Sequence, residues 1–230
     1  MAELVLYGAA LSPFVRKVQA VLHHVGADYE TKDVDFFNMP DWFVEISPAR
    51  RIPVLRDKTI GTSGIPGTIP DSSAIAMFLN QRFDAGLYGD DAFQAGRIAW
   101  FEEYADTEFA QTAGLDLFRA IMFPLFRGEA PDVETASKTW NEKFPRFFDY
   151  LEGALDGNSY FVGNKVTIAD ISVATQLLQI DLVAGLPDEE KYPHLVRHTK
   201  AMKEAPGFVE NLERCSAFIS GLLPEKVRLG

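Results

Sequence analysis

The sequence predicts two domains of different class: an α/β unit over residues 1–84 and an all-helical bundle over residues 93–230, joined by a linker at 85–92. Three observations carry this. Strand and helix patterns alternate as β-α-β-α-β-β-α up to Phe83, which fits one layered α/β unit. The stretch from Asp84 to Asp91 holds two glycines and three aspartates and reads as a linker. Beyond it strand signals almost vanish, and helical periodicity dominates.

Leu4-Val5-Leu6-Tyr7 is a short apolar run closed by Gly8, as expected of a buried strand. Ser12-Pro13 opens a helix, with serine at the N-cap and proline at the first helical position. Val15, Val18, Val21, Leu22 and Val25 then recur at helical spacing until Gly26. Tyr29 to Val34 alternates as a second strand, and a loose aromatic segment follows through Trp42 and Phe43. Pro53-Val54-Leu55 and Thr68-Ile69 are two more strands, separated by a Gly-rich excursion from Lys58 to Gly67. Ser73 to Phe83 is a helix with Ile75, Phe78 and Leu79 on one face. In the second half, Phe93–Phe109, Thr135–Leu155, Ile168–Val183 and His194–Ala205 are helical. Thr167-Ile168-Ala169-Asp170 has the form of a capping box before the third of these.

With 230 residues, 47% of them hydrophobic, the chain can bury a sizeable core. The net charge of −11 argues against nucleic acid as a partner. Residues 1–84 hold 8 Lys/Arg against 10 Asp/Glu, a net of −2; the rest holds 14 against 23, a net of −9. The near-neutral first half is therefore the part suited to receive a small anion. The single cysteine, Cys215, excludes intrachain disulfides, dithiol redox chemistry and cysteine metal clusters. No apolar run approaches the roughly 20 residues of a membrane helix. Met1-Ala2-Glu3 runs into a strand with no signal peptide, so a cytoplasmic location and no membrane partner are expected.

Three clusters carry chemistry. Ser12, between a strand and a helix, sits where unpaired N–H groups and partial positive charge favour an anion such as a thiolate; the plainer role is a helix cap. Arg50-Arg51-Ile52-Pro53-Val54 puts a proline at the mouth of a strand. If the Ile52–Pro53 bond is cis, Ile52 offers its backbone N–H and C=O to an extended peptide, with arginines beside it for a carboxylate; the alternative is a trans proline beside solvated arginines. Asp71-Ser72 before the Ser73 helix is either a cap or a site where Ser72 and the helix end accept a carboxylate and Asp71 an ammonium group. Taken together they describe one ligand with an amino-acid head, a peptide middle, an acidic tail and a thiol. No G-x-S-x-G elbow, G-x-G-x-x-G loop or Walker lysine is present. His194 and His198 have i, i+4 spacing but lack the other parts of a zinc site, so no metal is expected.

Four segments share an order with one family: Leu6-Tyr7-Gly8-Ala9-Ala10-Leu11-Ser12-Pro13-Phe14-Val15-Arg16-Lys17-Val18, Ser47-Pro48-Ala49-Arg50-Arg51-Ile52-Pro53-Val54-Leu55, Asp71-Ser72-Ser73-Ala74-Ile75 and Val166-Thr167-Ile168-Ala169-Asp170-Ile171. Over nearly its whole length the chain resembles the cytosolic glutathione S-transferases, in their serine-type classes (phi, tau and theta-like). The resemblance implies a thioredoxin-like first domain, a homodimer, and glutathione as co-substrate for attack on an electrophilic, apolar small molecule. It implies Ser12 as the thiol's hydrogen-bond donor, with Tyr7 as the competitor, since other classes use a tyrosine at the end of the first strand. Phe14, Arg51, Ile52, Pro53, Asp71 and Ser72 would bind glutathione, Arg51 facing the glycyl carboxylate. Two departures stand out. Arg50 replaces the usual glycine, so the turn there is expected to differ. The Lys58–Gly67 excursion exceeds the usual hairpin, and is expected to cover part of the site or the dimer edge. In the helical half, Phe101, Tyr104, Phe118, Arg119, Met122 and Phe123 offer more aromatic and apolar surface than one helix face needs. Tyr104, Phe118, Arg119 and Phe123 are the expected electrophile pocket, against ordinary core packing. Peroxide reduction or isomerisation would use the same thiolate, and a binding or scaffold relative would keep the fold without turnover.

Overall fold

The computed structural model describes residues 2–229, which divide into two compact units. One takes the chain up to Leu87 together with Pro206–Asn211; the other takes Tyr88–Ala205 and the chain from Leu212.

In the first unit, β1 (Leu4–Gly8) is buried along its whole length because it is a central strand, with strand neighbours on both edges. The sheet order is β2-β1-β3-β4. β1 runs parallel to β2 (Tyr29–Asp33) through the crossover helix α1 (Pro13–His24), and antiparallel to β3 (Val54–Asp57). β3 pairs antiparallel with β4 (Thr68–Ile69). The edge strand β2 reads Tyr-Glu-Thr-Lys-Asp, charges that discourage further pairing. Between β2 and β3 the loose aromatic segment contains a short helix, α2 (Asp41–Ile46). Its Phe43 and Ile46 join Val5, Tyr7, Val34 and Val54 in a core under the sheet. Helix α3 (Ser72–Phe83) starts on Asp71, whose Oδ1 accepts from the N–H groups of Ser73 and Ala74 at 2.9 and 3.0 Å.

In the second unit, α4 (Ala92–Tyr104) starts on Asp91 and continues through wide π turns at Ala105–Phe109 and Gln111–Phe118 into α5 (Arg119–Phe126). Periodicity predicts an end at Phe109; the helical path goes on because π turns change the repeat that a 3.6-residue pattern detects. The expected Thr135–Leu155 helix is likewise three pieces: α6 (Val133–Lys138), a π turn at Thr139–Lys143, and α7 (Pro145–Leu155). α8 (Ile168–Asp181) is the central helix, buried at every position. Its capping box forms, Thr167 N–H donating to Asp170 Oδ2 at 2.8 Å. α9 (Pro193–Lys203) and α10 (Pro206–Ser220) complete the chain's helices, the latter crossing from one unit to the other.

Candidate functional site

Strand register decides which segments meet. Tyr7 pairs with Val54, so the turn after β1 (Ala9–Ser12) and the approach to β3 (Arg51–Pro53) emerge at the same end of the sheet. Leu55 pairs with Ile69, which brings Pro70, Asp71 and Ser72 out at that end too. Three separated sequence clusters thus share one rim. On it, Ser12 is the N-cap of α1 with extended backbone (φ −74°, ψ 124°). Its Oγ accepts from Val15 N–H at 3.4 Å, longer than the usual 2.7–3.2 Å, so capping engages the hydroxyl only weakly. Phe14 is half-buried in the first turn.

Tyr7 is 8% exposed and belongs to the core cluster, with its ring 5.6 Å from that of Trp42 and Lys32 Nζ 6.0 Å from its centre.

The Ile52–Pro53 peptide bond is cis, and Ile52 lies before the β1–β3 ladder begins. The loop leading to it is latched by buried Ser47, whose Oγ donates to Arg51 O at 2.7 Å and accepts from Arg51 N–H at 3.0 Å. Arg50 adopts φ 51°, the left-handed conformation that glycine takes at least cost. The arginine is accommodated by bearing that strain, and its own side chain and that of Arg51 are exposed.

Asp71 is exposed and Ser72 buried at the start of α3. A residue that pattern reading passed over links this helix to α1: Lys17, 0% exposed, donates from Nζ to Ser73 Oγ at 3.0 Å. Arg16 beside it is equally buried. Periodicity does not signal either burial: at about 100° per residue Arg16 lies across the helix from the Val15, Val18, Val21 and Leu22 stripe, and Lys17 at its edge.

The Lys58–Gly67 excursion leaves β3 at Asp57, the end of the strand opposite Val54. It therefore does not lie over the rim that gathers Ser12, Ile52 and Asp71, contrary to the first of the two placements expected for it. It is wrapped around Arg56, whose guanidinium donates to the carbonyls of Gly61, Gly64 and Pro66 at 3.2, 2.7 and 2.9 Å.

In the helical unit, Phe101 and Met122 are fully buried and Phe118 is 7% exposed. Arg119 is exposed with its guanidinium 5.1 Å from the Phe123 ring, and Phe123 continues through Phe126 to Phe218. Tyr104 lies in another aromatic group, with Trp100, Phe147 and Tyr150, where burial pushes its phenol up from the ordinary value. A cavity of about 320 Å³ in this unit is lined by charged residues that pair with each other, Lys143 with Asp116 at 2.8 Å and Arg146 with Glu108 at 3.7 Å. None of the expected pocket residues lines it. Among the described residues there is no group of three or more His, Cys, Asp or Glu side chains placed to hold a metal ion, and no helix long and apolar enough to cross a membrane.

Residues 6–86 match the family model for the N-terminal domain of glutathione S-transferase, and residues 115–214 that for its C-terminal domain. The chain belongs to the glutathione S-transferase family. A relative named glutathione S-transferase D6, from Drosophila melanogaster, is 29% identical over 231 residues, which is 96% of this chain and 99% of that protein. Among solved structures, a glutathione S-transferase from Rhodospirillum rubrum F11 superposes with a TM-score of 0.78 at 24% identity, covering 90% of this chain and 91% of that one. A glutathione transferase homologue from Drosophila mojavensis, solved with bound glutathione, gives 0.75 at 22% identity over 97% and 99%. These two likenesses carry the fold: a thioredoxin-like α/β domain followed by a helical one.

Proposed function

We propose that this chain is a glutathione transferase that keeps the thiol of glutathione ionised for attack on an electrophilic, apolar small molecule. The observation that carries the reading is the shared rim, where strand register gathers Ser12, Ile52 and Asp71-Ser72. Each group on the rim suits one part of the tripeptide. The Ser12 hydroxyl, weakly held as a cap, donates to the sulfur, and the N-terminus of α1 adds partial positive charge. Ile52 pairs its backbone with the cysteinyl residue, beside Phe14 and Pro53. Asp71 uses Oδ1 for the α3 cap and directs its charge at the γ-glutamyl ammonium, while Ser72 and the helix start take the adjoining carboxylate. Arg51, exposed on a loop fixed by Ser47, serves the glycyl carboxylate. No metal enters this chemistry.

For the electrophile, the partly exposed Phe123 and the Arg119 over its ring form the proposed wall, with the nearly buried Phe118 as a further member; Tyr104 presents the second aromatic group. Residues 1–84 and 93–230 are the functional domains of this reading, the first for glutathione and the second for the electrophile, with 85–92 between them. The protein is taken to act as a cytoplasmic homodimer. The test is a glutathione titration followed by thiolate absorbance at neutral pH, with turnover on a panel of aryl and alkyl halides. A saturable thiolate signal and turnover are expected. No binding removes the reading, and binding without thiolate or turnover replaces it with a non-catalytic role.

A further inference from the structure

Asn211 stands almost two hundred residues after Ser12, yet its amide is bonded to both sides of that serine. Oδ1 accepts from Arg16 Nε at 2.6 Å, and Nδ2 donates to Ala10 O at 3.1 Å and to Gln19 Oε1 at 2.8 Å. The partners fix the amide's orientation, because a guanidinium can only donate and a backbone carbonyl can only accept. Asn211 is 1% exposed, and Arg16 0%. Their bonds are therefore made out of water, where a lost partner is costly. Ala10 lies two residues before Ser12 and Arg16 four residues after it, so the contacts straddle the N-cap. Within the turn itself Ser12 N–H closes on Ala9 O at 3.0 Å. Arg16 also places positive charge in the opening turns of α1, against the helix dipole, and its bond to the Asn211 carbonyl oxygen offsets that arrangement.

Close helix approach makes this possible. Gly207 lies against α1, where a Cβ would fall 2.6 Å from Ala20 Cα. A side chain there would hold the start of α10, and with it Asn211, away from the turn.

Resting on the reading that Ser12 is the thiol's hydrogen-bond donor, we infer that Asn211 is a positioning residue, clamping the Ala9–Ser12 turn so that the hydroxyl is held at the sulfur. Misplacement of a reacting or supporting group by about 1 Å can cost on the order of a hundredfold in rate.

The experiment compares wild type, Ser12→Ala, Asn211→Asp, Asn211→Leu and Gln19→Leu in three readouts: thiol titration of bound glutathione at saturation, kcat and KM across pH, and thermal melting. Asn211→Asp keeps the size and the acceptor for Arg16 but turns an oxygen toward Ala10 O and Gln19 Oε1. The thiol titration is expected to move up by about one pKa unit, with kcat at neutral pH down about three- to tenfold and KM for glutathione changed less than about threefold. Gln19→Leu, which removes the bond that does not reach the turn, is expected to lower the melting temperature and leave the titration in place. A role in folding alone predicts lower melting with the titration of the folded protein unmoved in the Asn211 variants, and that result overturns the inference. An equal shift in Gln19→Leu overturns it as well. Should neither Asn211 variant fold, Arg16→Met releases the other end of the clamp: an upward shift there supports the inference and an unmoved titration overturns it. If Ser12→Ala itself fails to move the titration, the Ser12 reading falls and this inference with it; if Ser12→Ala moves it and Asn211→Asp does not, this inference alone falls.

Discussion

Replacing Ser12 with alanine separates two roles that one hydroxyl can play. As a cap, Ser12 Oγ meets Val15 N–H at 3.4 Å, at the weak edge of hydrogen bonding. The stability lost on removing it should therefore sit at the low end of the usual range for caps, about 0.5 kcal/mol. As a donor to a thiolate, the same hydroxyl makes a bond to a charged acceptor, worth about 1.5–3 kcal/mol. At 1.36 kcal/mol per unit, that corresponds to roughly one to two units of thiol pKa. The start of α1 remains in the variant and contributes about 0.3–2 kcal/mol toward the anion. The bound thiol should accordingly titrate closer to, but still below, the free value of about 8.5.

The sign sets the assay. Losing a donor to the anion raises the pKa, so the variant is deficient below the new pKa and recovers above it. Rate against pH for the two proteins should diverge by roughly three- to thirtyfold near neutrality, widen below it and converge in the alkaline range, with thiolate absorbance following the same curves. Superimposed profiles would refute the assignment. A loss of equal size at every pH would refute the mechanism, since it would mean that Ser12 does not act through ionisation. Tyr7→Phe provides the comparison: with Tyr7 8% exposed in the core cluster, its titration curve is expected to match wild type. A shift in Tyr7→Phe without one in Ser12→Ala would transfer the role to the tyrosine.

Other consequences can be checked without substrate. Arg50→Gly relieves a left-handed residue at φ 51° and is expected to stabilise the protein by about 1 kcal/mol in chemical denaturation; destabilisation would mean that the arginine side chain offsets its backbone strain. Asp170→Ala removes the acceptor of Phe161 N–H at 3.0 Å and of Thr167 N–H and Oγ1 at 2.8 and 2.9 Å, and leaves buried His198 facing a void. A loss of at least about 3 kcal/mol is expected, and a loss under 1 kcal/mol would show the box to be dispensable. Burial pushes the Asp181 carboxyl up, but Lys203 at 2.8 Å and Lys226 at 2.7 Å outweigh it and hold the group below its ordinary value. A folded value below the unfolded one gives stability that is present above about pH 4 and lost as pH falls through the folded value. Lys226→Met should raise the midpoint of acid unfolding while changing little of the fold; an unchanged midpoint would count against the pairing.

Much of the fold and of the rim could be read from local chemistry. Ser12-Pro13 marks the start of α1, Asp71 the start of α3, and Thr167 to Asp170 the start of α8, because each is a short-range bond between a side chain and a nearby N–H. What stayed hidden depends on partners far apart in sequence or on a change of helical repeat. The burial of Arg16 and Lys17 shows only once Asn211 and Ser73 are placed beside them. The path from Gln111 to Phe118 escapes a 3.6-residue pattern because it is wound in π turns. Proline at the first position of a helix starts α10 at Pro206.

The rim itself follows from the sheet more than from any motif. Serine caps, arginine pairs and aspartate caps are common, and each of the three clusters had an ordinary explanation taken alone. They share one rim because β3 is antiparallel to both β1 and β4, so two connections and a strand entry open at one end. Gly8 completes the arrangement: a Cβ there would lie 2.4 Å from Val15 Cγ2, so the first turn of α1 rests directly on the end of β1. That contact sets the height of Ser12 above the sheet, as Ser47 sets the height of Arg51 and Ile52. The geometry of the rim is in this sense a packing result, set by Gly8 against Val15 and by Ser47 against Arg51.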